Sequence, residues 1–274
     1  MQLDIAVLVK ATRVSIAGLA VQKGAGMRVI VTKDYAGLSR KAARLVAGQI
    51  YLKPNCVLGL ATGSTPLAMY QELVQDYHDS GLDFSEVTTF NLDEYLGLAP
   101  DNPQSYHYYM QQNLFSLVNL DPHKTFLLPG QPEDVATACR EYDEAIKKAG
   151  GIDLQVLGIG KNGHIGFNEP DLKFEATTHL VKLDEETIEA NSRFFASENQ
   201  VPRFAISMGI KNIMYAKKIV LLANGEEKAE AIYRTIYGKI TPVTPASILQ
   251  LHQDVTVIVE EGAAGLLLEG RAKN

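Results

Sequence analysis

Residues 152–170 read "IDLQVLGIGKNGHIGFNEP", and this stretch decides how the chain is built. It opens as a short apolar run closed by glycine, the pattern of a strand covered on both faces. Gly158, Gly160 and Gly163 then satisfy G-x-G-x-x-G, the spacing of a dinucleotide-binding turn. In that turn the third glycine opens a long helix, whereas here Gly166 and Pro170 interrupt within a turn or so. Asp184, after "THLVKL", lies about where a ribose-binding acid would fall. Only 14 residues separate Gly163 from Thr178, however, which leaves little room for a crossover helix. The glycine spacing is therefore expected to serve a different site. The second half of the stretch, with His164 and Glu169 among glycines and a proline, carries its own chemistry.

Outward from this strand the chain repeats one theme. Candidate strands fall at 28–32, 56–61, 87–92, 125–129, 153–160, 178–183, 203–207, 218–224 and 255–260. Helical periods lie near 35–50, 65–79, 104–118, 134–149, 184–195 and 225–238. Strands separated by helix-length segments imply right-handed βαβ crossovers. The expected fold is α/β, an open Rossmann-like, mostly parallel sheet with helices on both faces. Residues 27–274 are expected to form a single catalytic domain, and residues 1–26 an extension outside it.

The bulk properties remove several classes of function. Of the 274 residues 46% are hydrophobic and 21% charged, and the net charge is −6. Nucleic acid and acidic membrane are disfavoured partners for such a chain, although a few cations and helix N-termini suffice to hold a small anion. No apolar run approaches the ~20 residues of a membrane span. The amino-terminal segment lacks the basic start of a signal peptide. Cys56 and Cys139 are the only cysteines and read as buried thiols of a reducing compartment, so a cytoplasmic location is expected.

In open parallel sheets, ligands bind beyond the carboxyl ends of the strands, and four places qualify. "GLATGSTP" (59–66) joins a glycine turn to hydroxyls at Thr62, Ser64 and Thr65, with Pro66 suited to a first helical turn. It reads as a phosphate cradle, and no G-K-[ST] follows to make it a Walker A loop. "TFNLDEYLGL" (89–98) sets Asp93 and Glu94 at a strand end. The pair is equally readable as a solvated strand end or as a general base. His164 and Glu169 form the third, a proton-transfer group whose carboxylate fixes the tautomer. Arg193 and Lys228 are cations able to complete an anion site. The remaining histidines show no metal-ligand spacing, so no metal is expected. A G-x-S-x-G elbow is also missing.

"LGLATGSTP", "FNLDEYLGL", "GIGKNGHIGFNEP", "ANSRFF" and "ASILQLH" resemble, in order and spacing, the glucosamine-6-phosphate deaminases of the glucosamine-6-phosphate isomerase family. The likeness runs from about Met27 to Glu260. It implies conversion of D-glucosamine 6-phosphate and water into D-fructose 6-phosphate and ammonia, without metal or organic cofactor. By the family pattern Asp93 moves a proton between C2 and C1. His164 assists ring opening, oriented by Glu169 and Asn162. Gly63, Ser64, Thr65, Arg193 and Lys228 hold the phosphate.

Two departures from the family pattern matter. Many relatives carry Asp where this chain has Asn162, so Glu169 alone is expected to stabilise an imidazolium at His164. "DLKFEATTHL" also lacks the Ser- and Arg-rich run that hexameric relatives use to bind N-acetylglucosamine 6-phosphate. Hyperbolic kinetics and a monomer or small homo-oligomer are expected instead. Three alternatives remain: a 6-phosphogluconolactonase-like hydrolase, a non-catalytic sugar-phosphate sensor and a dinucleotide oxidoreductase. The first carries a D-E-R and a G-H-T-x-S-L-F type loop where this chain has "DEY" and "GHIGFNEP". The second carries a helix-turn-helix that a 26-residue extension is too short to supply.

Overall fold

The computed structural model describes residues 20–23, 26–192, 195, 197 and 200–271. Its main sheet contains β1 (Ala20–Lys23), β2 (Met27–Thr32), β3 (Val57–Leu60), β4 (Thr88–Asn91), β6 (Thr125–Phe126), β7 (Leu154–Leu157), β10 (Lys218–Ala223) and β11 (Val255–Glu260). A smaller sheet holds β5 (Asp93–Tyr95), β8 (His179–Lys182) and β9 (Phe204–Ser207). The helices are α1 (Tyr35–Leu52), α2 (Leu67–Ser80), α3 (Tyr106–Asn113), α4 (Val135–Lys148), α5 (Glu185–Ser192), α6 (Ile210–Met214), α7 (Ala229–Tyr237) and α8 (Gly265–Arg271).

The apolar runs became the strands with no wet face. Every residue of β3 and β7 is buried, and so are the last five of β10. The helices begin where the sequence supplies a cap. Asp34 accepts the Gly37 N–H at 2.8 Å to start α1, and Asp134 accepts the Thr137 N–H at 2.9 Å to start α4. Leu38, Ala42, Ala43, Val46 and Ile50 then recur at helical spacing and form the buried stripe of α1.

The strand order is β1-β2-β11-β10-β7-β3-β4-β6, all parallel except β1. From β3 the chain travels through β4 to β6, and from β7 it travels the other way through β10 to β11. Right-handed crossovers therefore put α1 and α2 on one face and α4 and α7 on the other. The direction reverses between β3 and β7, and such a switch point opens a crevice beyond the strand ends. At the opposite, amino-terminal ends of the strands Asp153 is buried. It accepts from Lys53 and Lys217, each at 2.7 Å, and from the Val57 N–H at 2.8 Å. These bonds tie β3, β7 and β10 together away from the crevice.

Two expectations change. Ala20–Lys23 pairs antiparallel with β2, so the sheet takes in part of the stretch expected to lie outside the fold. The rest of residues 1–26, apart from Gly26, lies outside the described residues. The strands expected at 178–183 and 203–207 do not join the parallel sheet but pair antiparallel with each other, and the second of them also pairs antiparallel with β5. β8 alternates half-buried and exposed residues, the signature of a strand with one wet face. A second core forms beneath it from Tyr95, Phe167, Leu183, Ile188, Val201 and Ala205.

Candidate active site

One cleft brings the loops after β3, β4 and β7 together with the turn after β10. The order β10-β7-β3-β4 makes these four strands neighbours across the switch point. Residues 158–178, described throughout, contain no helix. The G-x-G-x-x-G match is thus a loop that turns back on itself, with the Gly160 N–H bonded to the His164 carbonyl at 3.0 Å.

The loop after β3 is held from beneath by two tyrosines. Tyr109 donates its hydroxyl to the Gly63 carbonyl at 2.8 Å. The Tyr35 hydroxyl donates to the Ser64 carbonyl at 2.7 Å and accepts the Ala68 N–H at 3.1 Å. Gly63 sits at φ +94°, a conformation open to glycine. With its carbonyls drawn into the protein, the loop lines the cleft at the start of α2. Thr62, Gly63, Ser64 and Thr65 all reach the cleft, but the Thr65 hydroxyl already donates to Asn224 Oδ1 at 2.8 Å.

The acidic pair separates into two functions. β4 ends at Asn91, and Asp93 begins β5 rather than ending a strand. The period of two sends the neighbouring carboxylates to opposite faces. Glu94, 1% exposed, accepts the N–H groups of Tyr95, Tyr106 and His107 at 2.9–3.0 Å and lies 3.1 Å from His107 Nδ1. It thereby holds a negative charge at the N-terminus of α3, where the helix dipole favours it. Asp93 instead lines the cleft while its carboxyl is buried. Burial, reinforced by the Glu94 charge, raises it to about 8. A carboxyl poised near neutrality in a cleft is suited to exchanging protons with a substrate.

Across the cleft, His164 is fixed by its own loop. Gly160 has no side chain because the imidazole occupies that space: a Cβ there would meet ring atoms at 2.4–2.7 Å. His164 Nδ1 lies 3.1 Å from Glu169 Oε2 and 3.4 Å from the Thr187 hydroxyl. Asn162 accepts the His164 backbone N–H at Oδ1 (3.1 Å) and donates from Nδ2 to Glu169 Oε2 (2.8 Å). Burial pushes the Glu169 carboxyl up, but hydrogen bonds from His164, Thr187 and Asn162 and the His164 charge outweigh it and hold the carboxyl below its usual range. Glu169 is thus an anion placed to keep the imidazole proton on Nδ1 and leave Nε2 for chemistry.

Of the expected anion-binding cations, Lys228 lines the cleft from the turn Glu226–Lys228 ahead of α7. Arg193 lies outside the described residues. The structure adds residues that sequence spacing passed over. Tyr106 lines the cleft, its ring packed against that of Tyr95 with centroids 5.0 Å apart. Thr187, Ala190 and Asn191 of α5 form the opposite wall. Asp184, which the dinucleotide spacing singled out, lies 3.3 Å from Asn162 Nδ2 and does not line the cleft. Tyr35 and Tyr109 carried no signal, because a tyrosine bracing a distant loop looks like any other half-buried aromatic.

A hydroxyl-rich loop, a buried carboxyl and a carboxylate-oriented imidazole at adjacent strand ends define a proton-transferring α/β enzyme. The chain belongs to the family of glucosamine-6-phosphate isomerases and 6-phosphogluconolactonases, whose pattern matches residues 34–258. It is 59% identical over 241 residues to a glucosamine-6-phosphate deaminase of Clostridium acetobutylicum, covering 88% of this chain and all of that one. Among solved structures, a monomeric glucosamine-6-phosphate deaminase superimposes with a TM-score of 0.85 at 45% identity, over 87% of this chain and 99% of the other. A 6-phosphogluconolactonase of Leishmania guyanensis shares the fold (TM-score 0.69, 20% identity, 86% and 97% covered).

Proposed function

We propose that the chain is an enzyme that converts D-glucosamine 6-phosphate and water into D-fructose 6-phosphate and ammonia. The observation that carries this reading is the cleft itself, which sets a buried Asp93 carboxyl and the His164–Glu169 pair at neighbouring strand ends. The close similarity to deaminases throughout the matched region supports it.

The residues divide the reaction in the following way. His164 takes the proton of the O1 hydroxyl and returns it to O5 as the C1–O5 bond breaks, leaving the open-chain aldehyde. Glu169 and Asn162 hold the ring in place for both transfers. Asp93, as carboxylate, removes the C2 proton; the C–H electrons form a C1=C2 double bond while the C1=O1 π electrons move to O1, which is protonated as the C2 ammonium gives up one proton, leaving an enolamine. The same carboxyl returns the proton to C1, which leaves a C2 imine. Water adds to the imine and ammonia departs. Gly63, Ser64, Thr65 and Lys228, with Arg193, anchor the phosphate, and that remote binding energy fixes C1 and C2 against Asp93. Asp93 makes one carboxyl serve two adjacent carbons, which an aldose–ketose conversion requires and a lactone hydrolysis does not.

The catalytic unit is one domain that takes in β1 as well as the chain from Met27 onward, working in the cytosol as a monomer or small oligomer with hyperbolic kinetics. The monomeric deaminase of similar fold and the two buried free thiols support this. Among the described residues no helix is long and apolar enough to cross a membrane. Ammonia release from glucosamine 6-phosphate tests the function. Wild type is expected to be active and Asp93→Asn to lose at least ~10³-fold. An inactive wild type overturns the assignment, and a fully active Asp93→Asn overturns the mechanism.

A further inference from the structure

A second carboxylate, Asp184, stands against the loop that holds His164. Asn162 Oδ1 is taken by the His164 backbone N–H, so the Nδ2 group faces away from it. Its two protons meet two acids, Glu169 Oε2 at 2.8 Å and Asp184 Oδ2 at 3.3 Å. The Asp184 backbone N–H also points at Glu169 Oε1, at 3.5 Å. Asp184 does not line the cleft. It sits at the start of α5, three residues before Thr187, whose hydroxyl reaches the imidazole. Burial and the neighbouring Glu169 charge raise the Asp184 carboxyl, as expected of an anion held against another anion.

This geometry explains why an amide stands at position 162. A carboxylate there would have no proton to offer, and three anions would crowd one small space. The amide instead separates two carboxylates by donating to both. The negative charge that Asp would carry at position 162 stands one side chain further back, at position 184.

We propose that Asp184 is a positioning residue of the ring-opening step, holding through the Asn162 amide the orientation of Glu169 and the negative charge behind His164. This rests on the reaction assigned above. It replaces the expectation that Glu169 carries the role alone. The groups facing Asp184 are Glu169, His164 and Glu186, and the depression on its other side carries Asp171, Lys173, Glu175, His179 and Lys182.

The test is a reciprocal exchange, measured as ammonia release from glucosamine 6-phosphate across pH 6–9, with thermal melts to confirm folding. Asp184→Asn, nearly isosteric, is expected to lower kcat about 10-fold with KM within twofold, since the side chain is outside the cleft. Asn162→Asp alone should lose more, through crowding of three carboxylates. Asn162→Asp with Asp184→Asn restores one carboxylate and one amide in exchanged places, and should recover kcat to within about threefold of wild type. Asp184→Ser, which removes the carboxylate without putting an amide in its place, is the second variant and should resemble Asp184→Asn. Unchanged kcat in both single Asp184 variants overturns the proposal. So does a double exchange no better than Asn162→Asp, which would mean a merely structural role. An inactive wild type would instead overturn the reaction and this proposal together.

Discussion

Asp93→Asn should abolish catalysis and make the protein more stable, with a gain that depends on pH. The carboxyl is buried and raised to about 8 from an ordinary 3.8. Between these limits the unfolded chain has released this proton and the native protein still holds it. Native binding of more protons makes the unfolding free energy fall as pH rises. The slope is about 1.4 kcal/mol per pH unit for one group, and the whole gap is worth about 6 kcal/mol. That is a large share of the ~5–15 kcal/mol that holds a domain folded. An amide at position 93 has no proton to release in this range, so the cost disappears. Urea unfolding of wild type and Asp93→Asn at pH 5, 6, 7 and 8 isolates the effect, because every other titration is common to both. The stability difference should grow by about 4 kcal/mol from pH 5 to pH 8, in favour of the variant. In wild type, kcat/KM should rise about tenfold per pH unit below 8, because the base acts in its ionised form. A difference between the two proteins that stays constant with pH would refute the argument.

The neighbouring residues give further outcomes. Glu94→Gln removes the like charge beside Asp93, so the rise in kcat/KM should move to lower pH; an unmoved profile would show that burial acts alone. Gly160→Ala places a Cβ within 2.4–2.7 Å of the His164 ring and should cost about 10²-fold in kcat by displacing the imidazole. Wild-type kcat in that variant would mean that the ring position does not matter. Tyr35→Phe deletes the hydroxyl that bridges Ser64 and Ala68. It should cost about 1–2 kcal/mol in unfolding free energy and raise KM several-fold with little change in kcat, and an unaltered KM would detach the loop from substrate binding.

Local chemistry made much of the protein legible before any fold was known. Strands buried on both faces need continuous apolar residues, so β3, β7, β10 and β11 stood out in the sequence. Helices need caps and a stripe, and Asp34 and Asp134 marked two of the starts. A parallel sheet puts its ligands at strand ends, which was enough to single out "TGSTP", Asp93 and the His164 loop. Interrupting residues within a turn of Gly163 were enough to discount the dinucleotide reading.

What the sequence could not contain was partnership across distance. Nothing local says that "THLVKL" and "RFAIS" leave the parallel sheet to pair with each other, or that "RFAIS" pairs with the strand beginning at Asp93. Asp93 and Glu94 are chemically alike and adjacent, and only their opposite faces assign one to the cleft and the other to the end of α3. Asp184 carried the right spacing for the wrong ligand, and Asn162 joins it to Glu169 from 22 residues away. Spacing along the chain records which groups are available. Folding decides which of them share a low-dielectric space, and that sharing sets both the raised Asp93 carboxyl and the charge behind His164.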